Sequence, residues 1–299
     1  MRLHNKRKGV SAVVIVVLVM SGIAACTTAS RPDLSGMTFA DDPLLGKVIW
    51  HDLITEDLAA ARKFYGGLFG WTFEETKGRN GKDYAIARSG NVYVAGMLAI
   101  DRPVDGSRYS RWLPFISVSD VDDAVARGVA AGASVAVSAR NVNLGRVAAL
   151  IDPQGAVIGL ARSSIGDPDD HTTAPAPGRP VWNELLADDP DAAASFYRTM
   201  ADFDSRVIDR RGGKYTLLGR EGKDRAGLWK KPAVDEPPVW LTFFGVTDPA
   251  ASAERAVSLG GSIILPPSAE FRDGTIAVVT DPSGAILVLQ NWASFGGEG

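Results

Sequence analysis

Cysteine and histidine are almost absent from this sequence. Its 299 residues include one cysteine, Cys26, and three histidines, His4, His51 and His171. One cysteine cannot form an internal disulfide, and a transition-metal site built on thiolate or imidazole needs several such ligands that converge. The sequence therefore argues against a zinc, iron or nickel centre and leaves carboxylate oxygens, which suit Mg²⁺ or Ca²⁺, as the available ligands.

Basic charge is also scarce. The chain has 32 Lys and Arg against 35 Asp and Glu, and Arg2, Lys6, Arg7 and Lys8 all precede residue 26. A chain that began at Cys26 would keep 28 basic residues, which gives a net charge near −7. Nucleic acids are bound through a basic face, so a nucleic-acid partner is excluded. Electrostatic attachment to anionic lipid is excluded for the same reason.

The N-terminus has the parts of a secretory signal. A basic head at residues 2–8 precedes an apolar run of roughly 15 residues, which is short for a membrane span. The run ends in Ile23-Ala24-Ala25-Cys26, which resembles the lipobox of bacterial lipoproteins. The resemblance implies that residues 1–25 are a signal peptide that is removed and that the Cys26 thiol is acylated. A plain signal peptide with a chance cysteine is the alternative.

Acylation of Cys26 would attach the protein to a membrane of the bacterial cell envelope. Several acyl chains, such as palmitate, bury enough methylene groups to hold a protein on a membrane surface. Residues 26–45 are polar and contain Pro, Gly and Ser, so we interpret them as a flexible tether. Thr27 stands where some inner-membrane lipoproteins carry a retaining Asp. The sequence therefore favours the outer membrane, with the body facing the periplasm.

Two segments of the remaining chain repeat each other. WHDLITEDLAAARKFYGGLFGW, from Trp50, matches WNELLADDPDAAASFYRTMADF, from Trp182, and GRVAALIDPQGAVIGLAR matches GTIAVVTDPSGAILVLQN further along. The two pairs are offset along the chain by almost the same distance, which indicates that two copies of one unit fill the body. We place the first domain at residues 46–162 and the second at residues 179–295, joined by a polar linker at residues 163–178.

Each copy divides again into two modules of one strand, one helix and three strands. Four aspartates follow strand-like runs and precede helix-like ones, where a carboxylate can accept a backbone N–H of the first helical turn. These aspartates are Asp57, Asp120, Asp189 and Asp248. Asp-Pro-x-Gly at residues 152–155 and at residues 281–284 predicts a type I turn before the last strand of each copy. The predicted fold class is α+β, with four βαβββ modules.

The order of a strand, an Asp, FY and LFGW, followed by DPxG before a final apolar strand, resembles the vicinal oxygen chelate superfamily. That superfamily includes glyoxalase I, extradiol dioxygenases and bleomycin-resistance proteins. The resemblance covers residues 46–162 and 179–293, and the W-H/N-D/E-L start of each copy is most similar to tandem two-domain glyoxalase-like proteins. The resemblance implies that each pair of modules forms one cup-shaped domain, so that the chain has two cups.

Metal-using members of this superfamily take a His from the first strand, a His or Gln from the first strand of the second module, and a Glu from the last strand. Counting from the capping and turn aspartates places these positions at residues without a ligand atom. They are Trp50, Leu113 and Gly159 in the first domain and Trp182, Leu241 and Val288 in the second. We therefore expect no divalent metal at the family site and no other cofactor.

His51 is the residue immediately after Trp50, which occupies the family's first ligand position. Side chains alternate along a strand, so this offset turns His51 toward the helices and away from the cup. A β-bulge could rotate it back, but the second copy has Asn183 at the same place. We predict that His51 is a hydrogen-bonded packing residue.

The same alternation predicts the lining of each cup. One acidic side chain lies among apolar and aromatic ones, which is typical of a small-molecule pocket, although the aromatic residues could instead fill the cups as core. The predicted lining is Trp50, Asp52, Leu113, Phe115, Val157, Gly159 and Ala161 in the first cup, and Trp182, Glu184, Leu241, Phe243, Ile286, Val288 and Gln290 in the second. Gly159 is expected to leave room in the first cup that Val288 does not leave in the second.

Asp52 is the candidate for acid–base catalysis, because a carboxylate in an apolar cup has a raised pKa. Tyr84, Tyr93 or Arg111 could be its partner, and a purely structural carboxylate bonded to a neighbouring N–H is the alternative. The sequence favours a lipid-anchored protein that binds or sequesters a small, partly aromatic, neutral or cationic molecule without a metal. A metal-dependent enzyme of glyoxalase or dioxygenase type and a structural envelope protein with closed cups are the alternatives.

Overall fold

The computed structural model of the protein describes most of the body of the chain. The described residues are 34, 36–77, 81–102, 104, 109–170, 176–210, 213–232 and 236–291. The predicted signal peptide, Cys26 and His171 lie outside these ranges. Within them, no helix has the length and apolar character that a membrane span requires.

Two eight-stranded sheets, one for each copy of the repeat, are found in the described residues. The strands of the first are β1 (Val48–Thr55), β2 (Thr72–Lys77), β3 (Asp83–Ser89), β4 (Val92–Ala99), β5 (Arg111–Ser117), β6 (Ser134–Val142), β7 (Gly145–Ile151) and β8 (Val157–Ser163). Those of the second are β9 (Pro180–Ala187), β10 (Asp204–Arg210), β11 (Gly213–Arg220), β12 (Lys223–Lys230), β13 (Val239–Val246), β14 (Ser262–Leu265), β15 (Ile276–Thr280) and β16 (Ile286–Asn291). The strand orders are β2-β3-β4-β1-β5-β8-β7-β6 and β10-β11-β12-β9-β13-β16-β15-β14, so the two modules of each copy meet where β1 pairs with β5 and β9 with β13.

Four helices begin directly after the predicted aspartates. They are α1 (Leu58–Phe69), α2 (Val121–Ala130), α3 (Pro190–Ala201) and α4 (Pro249–Ser258). In each case the carboxylate of the preceding Asp accepts a backbone N–H of the first turn. A proline fits the first position of α3 and α4 because that position needs no N–H donor. The four predicted βαβββ modules are confirmed.

The helices lie in two buried cores that both domains share. Helix α2 packs against α3, and α1 packs against α4. The first core joins Ile116, Leu150 and Leu160 with Tyr197, Phe203 and Trp240, and the second joins Leu53, Phe64 and Trp112 with Phe244, Val279 and Leu287. Each domain therefore buries part of the other. The face of each sheet that does not contact these cores points away from them.

A tyrosine of each domain bonds the turn of the other. The Tyr65 hydroxyl donates to Asp281 Oδ2 at 3.3 Å, and the Tyr197 hydroxyl donates to Asp152 Oδ2 at 3.0 Å. The indole N–H of Trp240 donates to the same Tyr197 oxygen at 3.0 Å. The two repeated motifs, FY and DPxG, thus meet across the domains and not within one copy.

Replacing Tyr197 by Phe is expected to lower the free energy of unfolding by about 1–2 kcal/mol, because the buried Trp240 indole and the Asp152 carboxylate each lose a partner. Urea unfolding at pH 7 measures this change. Val207→Ala, at a strand position that is 53% exposed, is the control and is expected to stay within about 0.5 kcal/mol of wild type. Equal stability of the Phe variant and wild type would contradict the bridging role of the hydroxyl.

The end of the tether packs against the start of the linker. Phe39 forms an isolated bridge with Pro168, and the fully buried Asp167 accepts from Leu44 N at 2.8 Å and from Ser117 Oγ at 2.5 Å. The predicted tether and linker therefore contact the body and each other at these residues. Composition could not indicate the contact, because Leu44 and Asp167 are far apart in the sequence.

Candidate functional site

The face of each sheet that points away from the helices carries a hydrophobic cluster of its own domain. We call these faces the first and the second cup. The first cluster includes Trp50, Ile54, Tyr84, Leu113, Phe115, Val157 and Ala161, and the second includes Trp182, Leu241, Phe243, Ile276, Ile286 and Val288. Gln290 pairs with Ile276 at the edge of the second cluster. Apart from Ile54, Tyr84 and Ile276, the named residues of these clusters are ones that strand phase predicts to line the cups.

The sheet register aligns the first and third of the family's metal-ligand positions in one row across each cup, with a phenylalanine between them. In the first cup Trp50 pairs with Phe115 and Phe115 with Gly159, while Leu113, the predicted second ligand position, pairs with Asp52. The equivalent row of the second cup is Trp182, Phe243 and Val288. No side chain in either row can ligate a metal, and across the described ranges no three His, Cys, Asp or Glu side chains converge. The residues present do not fit the family's metal.

His51 lies on the opposite face of β1, at the contact between the domains. Its side chain is 5% exposed, and its Nε2 lies 3.1 Å from Oδ1 of Asn183, which also accepts from Thr242 Oγ1 at 3.2 Å. Burial lowers the pKa of His51 to about 4, so the ring is neutral at pH 7 and its Nε2–H donates to Asn183. The predicted packing role is confirmed, and the bonding partner is the residue that replaces His51 in the second copy.

Asp52 is the buried acid of the first cup. Its Oδ1 accepts from the Trp50 indole N–H at 2.8 Å and from the Tyr84 hydroxyl at 2.9 Å. Its Oδ2 has no hydrogen-bond partner among the described residues. Burial raises the pKa of Asp52 to about 6, although the two hydrogen bonds and the charge of Arg140 lower it. The first cup therefore contains a buried acid with one oxygen that no described residue bonds.

Tyr84 reaches Asp52 because Gly96 has no side chain. A Cβ atom at Gly96 would overlap both the Tyr84 hydroxyl and Asp52 Oδ1, and a Cβ at Gly227 would overlap the Tyr215 hydroxyl in the same way. Sequence reasoning named Tyr84 as one of three partners and missed Tyr215 and both glycines. The sequence repeat indicates these Tyr–Gly pairs, because the Tyr and Gly of the first copy recur with the same spacing in the second.

The other two predicted partners of Asp52 bond elsewhere. The Tyr93 hydroxyl donates to the carboxylate of Glu74 at 3.2 Å. The guanidinium carbon of Arg111 lies 4.0 Å from the centre of the Tyr109 ring. Tyr84 is therefore the predicted partner that the structure brings to Asp52.

The acid of the second cup is already paired. The Tyr215 hydroxyl donates to Glu184 Oε1 at 2.7 Å, and Arg272 Nη2 donates to Oε1 and Oε2 at 2.6 and 2.7 Å. The guanidinium carbon of Arg272 lies 5.3 Å from the centre of the Phe243 ring. Trp182 donates its N–H to the Tyr215 oxygen at 3.0 Å. Sequence reasoning missed Arg272, which fills this cup from the segment between β14 and β15.

The room expected at Gly159 is filled by Phe115. A Cβ atom at Gly159 would overlap the Phe115 ring, whereas in the second copy Val288 stands beside Phe243. The prediction that Gly159 opens the first cup is wrong, because the glycine lets the ring lie against β8. A pocket of about 10 Å³ remains near the ring, which is room for about one water molecule. Its other walls are Ile54, Leu113, Val137, Val147, Ala148 and Ala149.

The sequence matches the family described as the Glyoxalase/Bleomycin resistance protein/Dioxygenase superfamily over residues 47–160 and 170–289. The chain belongs to this superfamily, as the resemblance in the sequence predicts. The two matches correspond to the two sheets.

Relatives match most of the chain. A Mycobacterium tuberculosis protein with the name "Putative glyoxylase CFP32" is 33% identical over 243 residues, which are 80% of this chain and 92% of the relative. The anthracycline biosynthesis protein DauV of Streptomyces sp. strain C5 is 31% identical over 258 residues, 80% of this chain and 91% of the relative.

Solved structures of the superfamily share the fold at low identity. The Mn(II)-bound glyoxalase from Novosphingobium aromaticivorans has a TM-score of 0.55 at 16% identity, with 83% of this chain and 82% of that chain covered. The 2,3-dioxygenase LapB from Pseudomonas sp. KL28 has a TM-score of 0.56 at 12% identity, with 83% and 92% covered. At these identities the likeness concerns the fold alone.

Proposed function

We propose that this protein binds or sequesters a small, partly aromatic, neutral or cationic compound in its first cup, without a metal. The observation that carries the proposal is the state of Asp52, a fully buried acid with one oxygen that lacks a partner in the described structure. A buried polar atom without a partner is costly, and a ligand N–H or O–H that met Oδ2 would remove that cost. Trp50, Tyr84 and Phe115 supply aromatic surface around it.

The donor set supports binding without a metal. A divalent cation needs several oxygen or nitrogen ligands that converge, and the row of Trp50, Phe115 and Gly159 supplies none. This argues against the metal-dependent glyoxalase or dioxygenase alternative, although one relative has the name "Putative glyoxylase CFP32". The name of DauV, an anthracycline biosynthesis protein, is compatible with an aromatic ligand.

Metal analysis and ligand binding on the full-length protein test this proposal. We expect less metal than one ion per chain, and at least one aromatic amine or neutral aromatic compound from a panel should raise the melting temperature and change tryptophan fluorescence. Asp52→Asn should lose that response, while Val207→Ala should keep it. Stoichiometric Zn, Ni, Fe or Mn would overturn the proposal in favour of the enzyme, and a panel without any response would overturn it in favour of closed cups.

We also propose that the protein is attached through lipid on Cys26 to the bacterial outer membrane and faces the periplasm. The basic head, the short apolar run and the Ile23–Cys26 tetrapeptide support this. Cys26→Ser is expected to move the protein from the membrane fraction to the soluble fraction and to abolish palmitate labelling, because acyl chains supply the apolar burial. A serine variant that stays in the membrane fraction as wild type does would contradict acylation.

A further inference from the structure

We infer that one end of the first domain lies on the lipid surface to which Cys26 attaches the chain, and that apolar side chains at this end contact the lipid. We call residues 36–47 the strap and this end of the domain the strap end, because the strap crosses it before β1 begins. The inference rests on the proposed attachment through Cys26, and it adds which surface of the body meets the membrane.

The strap is bonded to the start of the linker. The backbone N–H of Ala40 donates to Asp167 O at 2.9 Å, and the backbone N–H of Asp169 donates to Thr38 O at 3.1 Å. The strap therefore belongs to the folded body, although its composition is that of a tether. The chain that joins Cys26 to the body is then no longer than residues 27–35.

The length of this segment limits how far the body can stand from the membrane. Gly36 follows Cys26 by ten residues, and an extended chain spans at most about 3.5 Å per residue, which gives about 35 Å. A tether that reached to residue 45 would span about twice that distance. The strap end is thus held close to the lipid, and tethering raises its effective concentration there, so that a small apolar contact is enough.

The strap end carries exposed apolar side chains. Leu144 and Ile165 are 39% and 37% exposed, and they are close together, because Ser164 N donates to Leu144 O at 3.0 Å. The half-buried Phe39 lies beside them, since a Cβ atom at Gly166 would stand 3.0 Å from Phe39 Cβ. Apolar side chains that enter the boundary between head groups and acyl chains bind a lipid surface in proportion to the apolar area that they bury.

The ends of four strands of the first sheet meet at the strap end. Ser117, the last residue of β5, donates its N–H to the carbonyl of Lys47, just before β1, at 2.8 Å. Gly145, the first residue of β7, pairs with Ser163, the last of β8, and β8 is the neighbour of β5. The exposed apolar side chains therefore lie on the same end of the domain as the strap through which the chain arrives from Cys26.

The exposed charges of the strap are acidic. Asp41 and Asp42 are exposed, whereas Lys47 forms an ion pair with Asp170 at 3.2 Å. An anionic lipid surface would repel the two aspartates at close range. The strap end therefore suits a zwitterionic lipid surface, which the apolar side chains can enter without that repulsion.

Single cysteines that carry an environment-sensitive dye test the inference. Cys26 is the only cysteine of the chain, so Leu144→Cys and Ile165→Cys each give an acylated protein one free thiol. Val135→Cys is the matched control, because Val135 is 44% exposed and lies at the other end of β6, roughly 25–30 Å from Leu144 along the chain. The labelled acylated proteins are reconstituted in vesicles of phosphatidylethanolamine and phosphatidylcholine that include lipids with brominated acyl chains, which quench a dye on contact.

The dyes at positions 144 and 165 are expected to lose about half of their fluorescence, and the dye at position 135 about a tenth or less. Equal quenching at all three positions, or none at 144 and 165, would overturn the inference. A dye at position 165 that is shielded from water but not quenched would overturn it in favour of contact between two copies of the chain. Stronger quenching after phosphatidylglycerol replaces part of the lipid would overturn it in favour of an electrostatic contact.

Failure of the proposed attachment gives a different result. Wild type with an acylated Cys26 takes up no dye, whereas a free Cys26 thiol takes up dye. If wild type takes up dye, the attachment and the inference fall together. If wild type takes up none and the dyes at positions 144 and 165 stay unquenched, the attachment stands and the inference is wrong.

Discussion

At pH 7, the Asp52→Asn variant is expected to be more stable than wild type by about 2 kcal/mol. Burial raises the pKa of Asp52 from 3.8 to about 6, so the folded protein is destabilised by holding this carboxylate ionised. Each pKa unit corresponds to about 1.4 kcal/mol, which makes the whole effect about 3 kcal/mol. The Asn side chain keeps an oxygen that accepts from Trp50 and Tyr84. Its N–H groups find no acceptor at the place of Oδ2, and this reduces the increase in the free energy of unfolding.

The gain should depend on pH in a defined direction. Below the unfolded pKa, near pH 4, Asp52 is protonated in both states and carries no penalty. As the pH rises from about 4 to about 6, the unfolded chain releases its proton first, so wild type loses stability relative to the variant. Above about pH 6 the difference in the free energy of unfolding between the variant and wild type is constant. Urea unfolding of both proteins between pH 4 and 7 measures it, and an equal difference across that range would contradict a raised pKa for Asp52.

Glu184→Gln is expected to have the opposite effect, a loss of about 3–5 kcal/mol in the free energy of unfolding. The variant leaves the Arg272 guanidinium in the second cup without its carboxylate, and an uncompensated buried charge is costly. The same urea unfolding series at pH 7 measures the loss, with wild type and D52N measured alongside it.

A double variant separates the ion pair from general damage to the second cup. Glu184→Gln with Arg272→Met removes both charges and is expected to recover most of the lost stability, because an apolar side chain of similar length packs where the pair was. A Glu184→Gln variant as stable as wild type would show that the pair does not form in solution.

The opposite signs distinguish two uses of one constellation. In the second cup the acid is bonded by an arginine of the same chain, and its removal is expected to cost stability. In the first cup the acid is held at a cost, with Oδ2 unsatisfied in the described structure.

The sequence by itself determined the features that depend on neighbouring residues. Helix starts follow from an Asp whose carboxylate bonds the next turn, and the facing of Asp52 and His51 follows from the alternation along one strand. The repeat shows each local signal twice, which is why the four modules could be predicted from the sequence. Trp50 and Gly159 could be assigned to the family's ligand positions from their distance along the chain to Asp57 and Asp152 alone.

Only the tertiary structure decided what meets in space. Tyr65 bonds Asp281, and Arg272 bonds Glu184, although the partners of each pair are far apart along the chain. No local pattern contains such a pairing, since it depends on how two sheets and four helices pack. The same holds for Phe115 filling the space at Gly159. Whether a cup is open or closed is therefore a property of side-chain packing between distant segments, and the sequence could predict the cups but not which of them holds an arginine.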